Sequence, residues 1–107
     1  MKKDSAKKDP ATALKVKKIL EAIKKAAPGS SVELRIPLYG TIQCVAGSSH
    51  RRGTPPNTVE MSGQTLIRLV NEPSLWSDLC ESGEVRASGL LSDLYNLFAQ
   101  AAVKYRA

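Results

Sequence analysis

The sequence predicts an α+β fold: one mostly antiparallel or mixed β-sheet with helices packed on one face. Three observations carry that expectation. Each short extended stretch alternates apolar with polar residues, so its sheet has one face to bury and one to leave in water. Each longer stretch repeats apolar residues at helical spacing along one side only. The chain has 107 residues, enough for a single core. A doubly wound sheet would instead need strands apolar on both faces, and none of these reads that way.

Asp9-Pro10 is a helix start, a side-chain acceptor for the orphan amides followed by a ring whose missing N–H costs nothing there. Val16, Ile19, Leu20, Ile23 and Ala27 then recur on one side, with Lys17, Lys18, Glu21, Lys24 and Lys25 opposite, and Pro28-Gly29 ends the helix. Two strands follow, with Val32, Leu34 and Ile36 inward in the first and Ile42, Cys44 and Ala46 inward in the second. A three-residue loop, Leu38-Tyr39-Gly40, is expected to pair Ile36 with Ile42 and Leu34 with Cys44, with Gly40 in the left-handed position.

After the polar stretch GSSHRRGTPPN, a third strand points Val59 and Met61 inward and Thr58 and Glu60 outward. Ser62 caps the next helix, with Met61 and Leu66 placed as a hydrophobic staple and Leu66, Ile67, Leu69 and Val70 on its buried side. Pro73 breaks that helix. Leu75, Trp76, Leu79 and Cys80 define a short one closed by Gly83. A fourth strand, Glu84 to Ser88, points Val85 and Ala87 inward. Leu90, Leu91, Leu94, Leu97, Phe98, Ala101 and Tyr105 then form a C-terminal amphipathic helix. The outer face of the sheet should carry Glu33, Arg35, Glu60 and Arg86.

Charge is distributed unevenly. Residues 1–25 hold nine lysines against three acids, so the whole net charge of +6 lies in a basic arm, residues 1–9, and the first helix. Nucleic-acid binders add arginines that fork onto bases or aromatics that stack, and this segment has only lysines. The lysines therefore read as a solvated face, with no specific nucleic acid as partner. No apolar run approaches the roughly 18 residues of a membrane span, and the N-terminus lacks the apolar core of a signal peptide. The expected location is the cytoplasm, where Cys44 and Cys80 stay reduced.

The order of elements, the strand reading Gly-Glu-Val-Arg-Ala-Ser-Gly and the closing Leu-Tyr-Asn-Leu-Phe helix resemble the sterol carrier protein family. The stretches SVELRIPLYGTIQCVAG and HRRGTPPNTVEM look like its small bacterial orthologue group. The similarity runs from about Ala11 to Ala102, so residues 10–107 are expected to form one sterol-carrier-like domain. Family members are non-catalytic modules that take a fatty acid, acyl-CoA or sterol into an apolar space between sheet and helices. The resemblance implies that role here. Ile42, Cys44, Val59 and Met61 would line the sheet side, and Leu66, Leu69, Val70, Trp76, Leu79, Leu94, Leu97 and Phe98 the helix side. An empty cavity of roughly 300 Å³ would cost about 7 kcal/mol, comparable with the stability of a whole domain, so such a space is filled, closed or lost.

The same residues also make an ordinary core. The alternative is therefore an accessory or protein-interaction domain with a filled core, whose sheet edge or HRR loop meets another protein. His50, Arg51 and Arg52 gather donors on a loop stiffened by Pro55-Pro56, a candidate clamp for an anionic head group. Catalysis finds no support. Cys44 and His50 lack an orienting third group, metal-ligand spacing is absent, and no phosphate-binding glycine loop or other cofactor motif occurs.

Overall fold

The computed structural model describes residues 9–47 and 57–106, the last six by backbone alone. Helix α1 spans Pro10–Ala26, and the Asp9 carboxylate accepts the Thr12 amide at 3.0 Å as its N-cap. Its buried side carries Val16, Ile19, Leu20 and Ile23, and its last turn Lys24 and Lys25, favourable at the negative end of the helix dipole. Strands β1 (Val32–Ile36), β2 (Gly40–Cys44), β3 (Asn57–Met61) and β4 (Val85–Ser88) form one mixed sheet in the order β2-β1-β3-β4. β1 runs antiparallel to β2 and parallel to β3, and β4 antiparallel to β3.

Helix α2 (Gly63–Asn71) starts at Ser62, whose hydroxyl accepts the Thr65 amide at 3.1 Å. A 3-10 turn, Pro73–Leu75, leads into α3 (Trp76–Ser82), which Gly83 closes at a φ of 85°. Helix α4 covers Tyr95–Arg106. Helices α1, α2 and α4 pack on one another over the apolar face of the sheet, and α3 packs on β4. That face buries Val32, Leu34, Ile36, Cys44, Val59, Met61 and Val85. On the other face the register aligns Thr41, Arg35, Glu60 and Arg86 across the four strands. Arg86 donates to Glu60 at 2.9 Å, and Arg35 to Glu33 at 2.6 Å. The predicted α+β architecture and its two faces are both present.

The first hairpin departs from expectation by two residues. Leu34 faces Ile42, Val32 faces Cys44 and Ile36 faces Gly40. The loop has three residues, but they are Pro37, Leu38 and Tyr39. Proline fixes the φ that the second position of a β-turn requires, and the Tyr39 amide donates to the Ile36 carbonyl at 2.9 Å. With Leu38 at a φ of 74°, this is a type II turn with leucine, not Gly40, in the left-handed position. An even slip leaves every side chain on its expected face.

Three further expectations fail locally. Strand β2 stops at Cys44 and Ala46 is exposed. Val45 turns away at a φ of 70°, donating to the Ala27 carbonyl at 2.7 Å and accepting the Ser31 amide at 3.0 Å. Ala87 lies on the inner face opposite Val59, yet it is exposed, whereas Val85 on the same face of β4 is buried. Leu90, Leu91 and Leu94 precede the last helix, which starts at Tyr95; the first two leave the expected pattern altogether. They occupy a turn in which the Ser92 amide and hydroxyl both donate to the Gly89 carbonyl, and Leu90 is fully exposed. The Asp93 carboxylate then accepts the Tyr95 amide at 3.1 Å, cap chemistry that starts the helix later than its leucines suggest. The basic arm, apart from Asp9, lies outside the described residues, as do the side chains of Ala101 and Tyr105.

Candidate functional site

The apolar candidates converge. Cys44, Val59, Met61, Leu66, Leu69, Val70, Trp76, Leu79, Leu94, Leu97 and Phe98 belong to one buried cluster, and Ile42 packs against it half-buried. Sheet and helices supply opposite walls, because α2 enters straight from β3 and α4 crosses over α2. The Trp76 and Phe98 rings meet at a centroid distance of 5.8 Å and a tilt of 32°. Within the buried cluster Trp76 and Leu97, each 8% exposed, are the outermost of these candidates, whereas Leu66, Leu69, Val70 and Phe98 are inaccessible. The side chains pack directly on one another.

His50, Arg51 and Arg52 lie outside the described residues. The chain on either side of them is fixed. Gly47 packs so closely on Ser31 and Leu91 that a side chain at this position would collide with both. Asn57, the next described residue, is buried and donates through Nδ2 to the Ser31 carbonyl at 2.8 Å. Its Oδ1 accepts the Leu91 amide at 3.0 Å. Gly89 presses against Asn57, its φ is 109°, and a Cβ there would meet the Asn57 Oδ1. The glycine of the Ser-Gly strand ending is thus required by a close approach. Sequence reading missed Asn57, which it placed in a polar loop; an asparagine directly ahead of an alternating strand was the available signal.

The thiols are unsuited to nucleophilic work. Burial pushes the Cys44 thiol up to about 11, and burial followed by the Asp93 carboxylate raises that of Cys80. The Asp9 carboxyl is held below its ordinary value by the Thr12 hydroxyl and amide, a capping role. Among the described residues no three His, Cys, Asp or Glu side chains group as a metal site. No helix of the described residues is long and apolar enough to cross a membrane.

Two surface clefts were not foreseen. One of about 740 Å³ lies beyond the C-terminal ends of the parallel strands β1 and β3, with Pro37, Leu38, Tyr39 and Met61 as apolar lining and Glu60, Glu84 and Arg86 among its polar groups. Both glutamates are engaged, Glu60 with Arg86 and Glu84 with Arg68 at 3.3 Å. The other, about 400 Å³, runs between α1 and β2. Of the predicted apolar set, only Met61 reaches the first cleft and only Ile42 the second.

Comparison with known proteins agrees with this geometry. The family model described as bacterial SCP ortholog matches residues 8–99. A solved structure of a ubiquinone synthesis protein, UbiJ-SCP2, superposes with a TM-score of 0.51 at 16% identity, over 97% of this chain and 84% of that one. At that identity the likeness is one of fold. No curated protein sequence matches the chain.

Proposed function

The chain belongs to the bacterial SCP ortholog family, and from that premise we propose that it is a non-catalytic lipid-binding module. The ligand is a fatty acid, acyl-CoA or sterol, held by Leu66, Leu69, Val70, Trp76, Leu79, Leu94, Leu97 and Phe98 against Ile42, Cys44, Val59 and Met61. The observation that carries this reading is the family match over residues 8–99; the twelve apolar positions, which bring no ionised group between helices and sheet, are compatible with it. Closed packing without a ligand is what the cavity cost demands. Entry therefore requires an element to move. Helix α3 is the natural one, seven residues long, bounded by a 3-10 turn and by Gly83, and carrying Trp76, which is 8% exposed.

Arg51 and Arg52 are proposed to hold the anionic head. Support comes from the pinned flanks of their segment, since Gly47 and Asn57 both stand at Leu91, three residues before Leu94. Trp76 is the sole tryptophan and reports entry directly. Titration with palmitate, palmitoyl-CoA and cholesterol should change its fluorescence saturably for at least one ligand. Unchanged fluorescence with all three contradicts the lipid reading and favours an accessory domain with a filled core.

A further inference from the structure

We propose that the groove between α1 and β2 is a docking site for an extended peptide strand that carries carboxylates flanking an apolar residue. This goes beyond the lipid reading, shares only Ile42 with it and is tested separately. β2 is an edge of the sheet, and among the described residues no strand pairs with its outer side. Its outward amides and carbonyls are a template for one more strand. Edges of this kind are commonly blunted by an inward charge or a proline, and Gly40–Cys44 has neither.

The groove beside that edge specifies the occupant. Its floor is Leu20 and Ile42, and its far lip on α1 carries Lys17, Glu21 and Lys24. None of these three takes part in an ion pair within 4 Å among the described residues. Lys17 and Lys24 are seven residues apart, about 10.5 Å along a helix. In an added strand every second side chain faces α1, so positions i and i+4 lie about 13 Å apart, within the reach of glutamate and lysine side chains. Position i+2 falls at the level of Glu21, which repels a third carboxylate and favours an aliphatic residue over Leu20 and Ile42. A second copy of this chain fits poorly, because pairing two β2 edges brings two lysine lips together.

The probe is the peptide Thr-Glu-Thr-Ile-Thr-Glu-Thr, acetylated and amidated, titrated into the full chain at low salt and followed by backbone amide shifts and hydrogen exchange. The expected result is saturable binding with slowed exchange at amides of Gly40–Cys44 and no change at Trp76. Lys17→Glu with Lys24→Glu should weaken binding about tenfold or more and should bind instead the peptide with lysine in place of both glutamates. The exposed positions leave folding intact, and unchanged exchange in β1 and β3 checks this. The proposal is overturned by absence of binding, by shifts confined to residues away from β2, by equal binding to the charge-reversed variant, or by a peptide-free dimer that already protects β2.

Discussion

The Asn57 side-chain oxygen accepts the Leu91 backbone N–H at 3.0 Å across 34 residues of chain. With its amide on the Ser31 carbonyl, this one buried side chain ties the start of β3, the approach to β1 and the turn ahead of α4. It holds the turn that leads into the Asp93 cap of the last helix and to Leu94, Leu97 and Phe98. Asn57→Leu leaves a buried carbonyl and amide unmet. It should destabilise by about 1 to 3 kcal/mol and quicken amide exchange at Leu91, measured by denaturant unfolding and hydrogen exchange.

Leu38 occupies the left-handed position of the first turn while half-exposed, 51% accessible. A leucine there carries about 1 to 2 kcal/mol of backbone strain, part of which glycine relieves and part of which its greater chain entropy offsets. Leu38→Gly should raise the urea midpoint, with a gain up to about 1 kcal/mol. A substantial loss would place the turn elsewhere.

The Ser62 cap is the sharpest local start signal after the sheet. Ser62→Ala removes the acceptor for the Thr65 amide and should cost about 1 kcal/mol in thermal or denaturant unfolding. Threonine at the same position should restore most of it.

Cys44 gives a pH dependence with a definite sign. Its thiol is raised from 9.0 to about 11 in the folded chain, so the neutral form is the one folding favours. That contribution is fully present below pH 9 and is lost as the pH rises from 9 to 11. Wild type should lose more stability over that interval than Cys44→Ala does. In native protein at pH 8, a thiol reagent should reach the half-buried Cys80 and spare Cys44 until unfolding.

Much of the fold was legible because its signals are local. Asp9, Ser62 and Gly83 mark helix ends with side chains or backbone acting within four residues. Alternation assigned both faces of β1 and β3 for the same reason. The hairpin register was not legible from alternation, since a two-residue slip leaves Leu34, Ile42 and Cys44 on the same face; only Pro37 as a turn former distinguishes the registers. The turn ahead of α4 is held by Asn57, a contact across the chain that no local window contains, whereas the Asp93 cap that follows it is local. Ala87 shows the remaining limit, as period gives its face but not whether anything covers it.

The candidate site divides along the same line. Periodicity brings Leu69, Trp76, Leu94 and Phe98 into one apolar cluster, and the structure contains it. Periodicity does not distinguish a core from a closed ligand space, because both need the same residues. The two clefts meet at Tyr39, one bounded by the hairpin turn, the end of β3 and the start of α2, the other by α1 and β2, and none of those elements announces them alone.

Leu94→Trp would fill the space beside Phe98 at an overpacking cost of about 1 to 3 kcal/mol. It should exclude an acyl chain while leaving the chain folded. Arg51→Ala with Arg52→Ala should instead weaken palmitate and palmitoyl-CoA and spare cholesterol.

Native mass spectrometry of the full chain, purified without detergent and then mixed in turn with palmitate, palmitoyl-CoA and cholesterol, decides between a ligand space and a filled core. A one-to-one adduct of at least one of these ligands, or of a co-purified lipid, is expected in wild type and not in a folded Leu94→Trp variant. An apoprotein mass alone, or an adduct equally abundant in both proteins, contradicts the lipid reading.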